Sequence, residues 1–211
     1  ELKKYKQSII TEAVTKGLDR NVEMKDSGME WIGQIPSHWE ISKIKFVTEV
    51  DEEKKDFIKG DVYIGLENVI SYSGKLNGYS KLPKESKENS FKQGDVLYSK
   101  LRPYLAKAFI AETHGSCSGE FIVFRHYKGE KKYLLYWLIS QLFTDFINAT
   151  SYGAKMPRSS WEYIKETSIP QPPREEERLI INYLEQVTSQ IDKLMFGKEE
   201  IIKELNNYKK S

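Results

Sequence analysis

Gly115-Ser116-Cys117-Ser118-Gly119, with His114 beside it, has the G-x-C-x-G spacing of a nucleophile elbow. Such an elbow sits on a sharp turn between a strand and a helix. Here the flanking runs, 106–111 and 120–124, are both strand-like, so the segment reads as a loop between strands. His114 and Cys117 also have H-x-x-C spacing, but no second ligand pair completes a tetrahedral zinc site. His38 and His126 are isolated and read as packed or exposed. Glu85-Ser86-Lys87 supplies the E-x-K of a nuclease without the upstream Asp that would make it one. Gln171-Pro172-Pro173-Arg174 lacks both the acid or amide and the aromatic of a base-methyltransferase motif. Neither G-x-x-x-x-G-K-[ST] nor G-x-G-x-x-G occurs to cradle a phosphate. The chain reads as a binder, with no cofactor and no metal expected.

The elements that would carry a binding surface are legible in outline. Residues 1–16 pattern as an amphipathic helix with Leu2, Tyr5, Ile9 and Ala13 on its stripe, Ile10 and Val14 beside them, and Gly17 at the C-cap. Residues 18–38 connect, with Trp31-Ile32-Gly33-Gln34-Ile35-Pro36 as apolar anchors. Strand patterns follow at 40–50, 61–66, 95–99, 106–111 and 120–126, punctuated by Gly60-Asp61, Asn77-Gly78 and Gly94-Asp95. The run Asp51-Glu52-Glu53-Lys54-Lys55-Asp56 reads as a solvated loop. One helix is expected over about 130–148, from Tyr133, Leu134, Trp137, Leu138, Leu142, Phe143 and Phe146. Strands not regularly interleaved with helices argue for α+β.

After Pro172-Pro173 a long helix should begin, with Glu175, Glu176 and Glu177 near its positive end. Its apolar residues step in heptads: Ile180, Leu184, Val187, Ile191, Leu194, then Ile201, Leu205 and Tyr208, with Lys198 interrupting and Gly197 marking a bend. A helix on the order of 50 Å exceeds what this core needs, so it reads as a spacer or dimer element.

The first eight residues, Glu1-Leu2-Lys3-Lys4-Tyr5-Lys6-Gln7-Ser8, return at the end as Glu204-Leu205-Asn206-Asn207-Tyr208-Lys209-Lys210-Ser211. That repetition reads as one unit of a tandem duplication, cut within a repeated helix. At 211 residues, 30% charged and 12% aromatic, the chain can fill one good-sized core plus an appendage, or two small domains. A single cysteine and no long apolar run point to a cytoplasmic, reducing setting with no membrane span. The start on Glu implies a processed or internal end. A net charge of +2 permits nucleic-acid binding without demanding it.

Several stretches, in order, resemble the specificity subunit of type I restriction–modification systems. They are Tyr63-Ile64-Gly65-Leu66-Glu67-Asn68-Val69, then Gly94-Asp95-Val96-Leu97-Tyr98-Ser99-Lys100-Leu101-Arg102-Pro103, then Cys117-Ser118-Gly119-Glu120-Phe121-Ile122-Val123. Gly153-Ala154-Lys155-Met156-Pro157-Arg158 and Ile169-Pro170-Gln171-Pro172-Pro173-Arg174-Glu175-Glu176-Glu177-Arg178 follow. The start, from Tyr5 to Leu18, is similar to the end of that family's central helix. Glu176-Glu177 departs from the family's usual Glu-Gln, a change a helix start tolerates.

The resemblance implies the end of the central helix at 1–18, a DNA target recognition domain at 19–170 and a coiled-coil helix at 171–211, with the two helices antiparallel. Ile9 and Ala13 would then lie near Ile180, Leu184 and Val187, leaving Leu194, Ile201, Leu205 and Tyr208 to a second copy. It further implies a non-catalytic subunit that reads half of a split double-stranded DNA target, docks methylation subunits and is joined by restriction subunits. Lys100, Arg102, Lys107, Lys155, Arg158 and Ser159 are the expected DNA contacts, chiefly to the backbone, with Asn77 and Tyr79 among the candidate base readers alongside Tyr72 and Ser80. Two rival readings are a coiled-coil interaction protein that binds no DNA and a metal-dependent nuclease or methyltransferase.

Overall fold

Two stacked sheets under a layer of helices form the computed structural model, which describes residues 1–51, 54–55, 62–80, 88–153 and 155–208. The central sheet is antiparallel, in the order β4 (Glu49–Asp51), β11 (Phe121–Arg125), β8 (Val96–Ser99), β9 (Ala108–Ile110). Strands β8, β9 and β11 are apolar at nearly every position because both of their faces are covered. Val96, Tyr98, Ile122 and Phe124 face the helices, whereas Leu97, Phe109, Phe121 and Val123 face the second sheet. Alternation of side chains along a strand is what divides them so.

The second sheet runs β5 (Lys54–Lys55), β7 (Glu88–Phe91), β10 (Gly115–Cys117), β6 (Val62–Ile64), with β10 parallel to β6. The stretch 115–117, read as loop from sequence, is therefore a strand. Gly115 permits it: a Cβ there would stand 2.4 Å from the Val62 carbonyl oxygen and 2.8 Å from the Phe91 ring. Cys117 is buried in this layer while His114 is exposed, so the elbow-like spacing brings no nucleophile to the surface.

The expected strand over 40–50 is three elements. β3 (Glu40–Lys43) pairs with β12 (Ser168–Gln171), a helical turn α2 (Ile44–Val47) follows, and β4 then joins the central sheet. The chain has to change sheets, and the turn accomplishes it. Of the 51–56 run, Asp51 ends β4 and Lys54–Lys55 form β5, not loop. Residues 52–53 and 56, the Gly60-Asp61 turn and the Glu85-Ser86-Lys87 triplet lie outside the described residues. A hairpin of β1 (Met24–Asp26) and β2 (Gln34–Pro36) carries the anchors: Ile32 and Ile35 are buried, and Trp31 stacks on Phe146 at 4.0 Å.

Helices α3 (Lys131–Leu138) and α4 (Gln141–Ala149) lie against the central sheet, α1 (Leu2–Lys16) and α6 (Arg174–Tyr208) pack on α3 and on each other, and α5 (Trp161–Ile164) is a single turn. The expected 130–148 helix is broken at Ile139-Ser140. The Ser140 hydroxyl donates to the Trp137 carbonyl at 2.7 Å and accepts from the Phe143 N–H at 3.3 Å, closing α3 and capping α4. The break lets Trp137 and Phe143 both reach the core.

α1 ends at Gly17, whose φ of 72° suits glycine. Its buried face is rotated from the expected stripe: Lys6, Gln7, Ile10, Ala13, Val14 and Thr15 are buried, Tyr5 is exposed and Ile9 half-buried. The cause is contact on two sides, since α1 packs against α3 and α4 as well as α6. Lys6 tolerates burial because its amine reaches Asp192 Oδ1 at 2.6 Å. Residues 16–17 border Glu176 and Ile180, and residues 1–3 border Met195 and Glu199, so α1 and α6 are antiparallel as expected.

α6 spans 35 residues, running unbroken through Gly197. Two packing partners widen its stripe as well: Ile180, Ile181, Leu184, Thr188 and Ile191 are buried, with Val187 half-buried. Beyond Ile191 the seam leaves the core. Leu194, Ile201, Leu205 and Tyr208 are each more than half exposed. At the helix start, buried Glu177 accepts the Glu130 N–H at 2.8 Å, and Glu176 accepts the Trp39 indole N–H at 2.8 Å. Burial pushes the Glu177 carboxyl above the usual range, against the pull of that N–H and of Arg174.

Candidate nucleic-acid interface

Where β8 leaves the central sheet, the chain enters a short 3-10 turn, Pro103–Leu105, flanked by Arg102 at φ 51° and Ala106 at φ 44°. Left-handed backbone at a residue with a Cβ costs about 1–2 kcal/mol, so neighbours must hold it. Arg102 N–H donates to the Pro157 carbonyl at 2.7 Å. Tyr72 N–H donates to the Ala106 carbonyl at 3.2 Å, and the Tyr72 hydroxyl to the Tyr104 carbonyl at 2.8 Å. The Ser99 hydroxyl bonds the Leu101 carbonyl at 2.9 Å.

A second piece comes from residues 152–158. Tyr152 and Arg158 exchange both backbone hydrogen bonds, at 3.1 and 2.9 Å, closing a tight loop between them. That loop is sewn onto the first turn by a Leu101–Arg158 bridge and by the Ser159 N–H on the Lys100 carbonyl at 3.0 Å. A third piece is Glu120: its carbonyl accepts the Lys100 N–H at 2.8 Å, and its carboxylate pairs with Arg158 Nη2 at 2.5 Å.

Lys100, Arg102, Arg158 and Ser159 are thus brought together, with Lys155 on the adjoining loop. Arg102, Lys155 and Arg158 are exposed and Lys100 is half-buried. Ser159 is buried, and its contacts to Lys100 make it a positioning residue here. Lys107 is engaged inside the protein, its amine 2.6 Å from the Leu66 carbonyl. Asn77 and Tyr79 are exposed on the loop that carries Tyr72, beyond the Val69–Leu76 bridge. Of the fellow candidates, Tyr72 is tied into the turn as above, and Ser80 bonds Glu67. The sequence alone assigns no site role to Tyr104, Glu120, Tyr152 or Met156. Tyr104 is 42% exposed, Tyr152 61% and Met156 52%, so apolar and cationic side chains alternate on one surface. Cations can neutralise phosphates while aromatic faces stack on bases.

No group of three or more His, Cys, Asp or Glu side chains among the described residues could hold a metal ion. No described helix is long and apolar enough to cross a membrane.

Residues 36–205 match the type I restriction modification DNA specificity domain. The chain belongs to this family. The EcoDI specificity subunit of Escherichia coli is 22% identical over 230 residues, covering 100% of this chain and 52% of that protein. The MjaVIII specificity subunit of Methanocaldococcus jannaschii is 26% identical, covering 96% and 51%. The chain therefore spans about half the length of these specificity subunits. The same fold is present in the HsdS subunit of Thermoanaerobacter tengcongensis, with a TM-score of 0.64 at 17% identity, covering 93% of this chain and 45% of that one. A chain from a structure on complex assembly and conformational transition of the type I R-M system gives 0.66 at 16% identity, covering 98% and 50%.

Proposed function

We propose that this specificity domain reads one half of a bipartite DNA target, docks methylation subunits and works in the cytoplasm within a complex that restriction subunits join. The observation that carries the DNA contact is the surface where Lys100, Arg102, Lys155 and Arg158 converge around exposed Tyr104 and Tyr152. Phosphate contacts there set the register on the duplex, and exposed loop residues such as Asn77 and Tyr79 read base edges. α6 acts as the spacer. A reader held at one end of a rigid helix selects half-sites at a separation set by the protein.

The same reading includes a homodimer when the chain stands alone. Leu194, Ile201 and Leu205 form a stripe that a second copy offers in return, and a two-fold antiparallel pairing is self-complementary. Titrating the purified chain against a random duplex pool at several salt concentrations tests the DNA contact. Affinity should fall linearly on a log–log plot. Absence of binding at low salt would instead favour a coiled-coil interaction protein.

A further inference from the structure

Lys155, Met156 and Pro157 occupy the far end of the loop closed by Tyr152 and Arg158. Met156 is 52% exposed between exposed Lys155 and Arg158, and it shares that surface with exposed Tyr104 and Tyr152, so it is one of a group of exposed apolar side chains set among cations. Its thioether chain is long, unbranched and apolar, and gains nothing from water. The loop beneath it is anchored. Tyr152 and Arg158 are cross-bonded, Pro157 accepts the Arg102 N–H at 2.7 Å, and Ser159 is fixed on Lys100. An apolar side chain between two cations, on a loop anchored at its base, suits a duplex in one particular way. The cations grip successive phosphates while the apolar group enters between base pairs.

We propose that Met156 is a wedge that inserts at a base step and kinks the DNA, with Lys155 and Arg158 gripping the flanking phosphates. The proposal rests on the DNA-reading function above and adds to it a second source of specificity. Steps that unstack easily would be preferred even where no side chain touches a base edge. Arg158 is held by Glu120 Oε1 at 2.5 Å, which leaves its remaining guanidinium N–H groups for phosphate and fixes the side of the loop on which it grips.

The test uses the full chain and two random-sequence duplex pools, identical except for a central unpaired dinucleotide bulge. In the bulged pool the unstacking is already done, so the wild-type protein should bind it about tenfold more tightly than the paired pool. Met156→Ala should reduce that preference below about twofold while leaving the salt slope on paired DNA unchanged. Lys155→Ala should do the reverse, lowering the slope and keeping the preference. Equal affinity of the wild-type chain for the two pools overturns the wedge alone. So does a preference that survives in Met156→Ala, as it would if Met156 seats a protein partner. Failure to bind either pool in a salt-dependent way overturns the DNA reading and the wedge with it.

Discussion

Replacing Lys100, Arg102, Lys155 and Arg158 together by alanine tests the interface quantitatively. Each phosphate contact contributes about 0.9 to the slope of log affinity against log salt. Four contacts therefore make the affinity fall roughly a hundredfold between about 50 and 200 mM salt, and the variant should lose that share of the wild-type dependence. The four are not equivalent. Arg102 and Lys155 are exposed, Lys100 is half-buried, and Arg158 is paired with Glu120. Removing Arg158 also uncovers the Glu120 carboxylate, whose Oε2 has no hydrogen-bond partner. An uncompensated charge facing phosphate costs about 1 kcal/mol, or roughly fivefold in affinity. Arg158→Ala should thus cost more than Lys155→Ala, and adding Glu120→Gln should return most of the difference. Folding is a small concern because Arg102→Ala keeps the Cβ and the backbone N–H that donates to Pro157. Fluorescence anisotropy across a salt series, with melting curves alongside, measures each quantity. An unchanged slope in the folded quadruple variant refutes the interface. Equal losses in the two single variants, with Glu120→Gln inert, refute the role given to Glu120.

Two carboxylates should show opposite pH behaviour. Burial lifts Glu177 above its usual range, so its stabilising form is the protonated one, fully present below about pH 4 and lost as pH rises through the raised value. Glu177→Gln keeps an acceptor for the Glu130 N–H and should raise the melting temperature by about 1–3 °C at pH 8 and not at pH 4; a lower value at pH 8 would contradict this. Burial also pulls Asp192 upward, but Lys6 and Lys75 hold it below the usual range, so its contribution is present above about pH 4 and lost as pH falls through the lowered value. Asp192→Asn should accordingly destabilise at pH 7 and do little at pH 3, as read by the same melts. Gly115→Ala should destabilise by about 2–4 kcal/mol in urea unfolding, since the Val62 carbonyl is backbone and cannot give way; a neutral effect would mean that β6 and β10 do not approach as described. Replacing Ile201 and Leu205 by Asp should leave the chain folded and monomeric in sedimentation at tens of micromolar, whereas a persisting dimer would place the contact elsewhere.

Local signals carried much of the fold. The start of α6 follows from the prolines and three glutamates before Ile180, and β8, β9 and β11 follow from short apolar runs between turns. What stayed hidden depends on distant partners. Gly115-Ser116-Cys117 has little strand propensity of its own and becomes a strand because β6 and β7 flank it. Ser140 breaks a helical pattern whose apolar spacing continues across it, and it lacks the glutamate three positions on that would mark a capping box. Around the candidate interface, residue type alone does not reveal internal ties. Lys107 and Ser159 have suitable chemistry, but the Leu66 and Lys100 carbonyls hold them within the fold. Arg158 and Lys100 meet because Leu101 pairs with Arg158 and the Ser159 N–H bonds the Lys100 carbonyl.

The seam of α6 shows why one periodic pattern can serve two purposes. From Ile180 to Ile191 its apolar residues are covered by this chain's own α1 and α3, and the stripe widens to admit Ile181 and Thr188. From Leu194 onward the heptad spacing continues without that cover. A helix needed only for the core could end near Asp192, where Lys6 and Lys75 converge on the carboxylate. The further turns carry Leu194, Ile201 and Leu205 about 1.5 Å per residue away from the recognition surface. Keeping them at heptad spacing while exposed makes sense when another helix lies along them. On the function proposed above, such a helix would fix the distance between this reader and a second one; the exposed half of α6 would then set the geometry of a split target while the buried half, packed on α1 and α3, holds the helix to the domain.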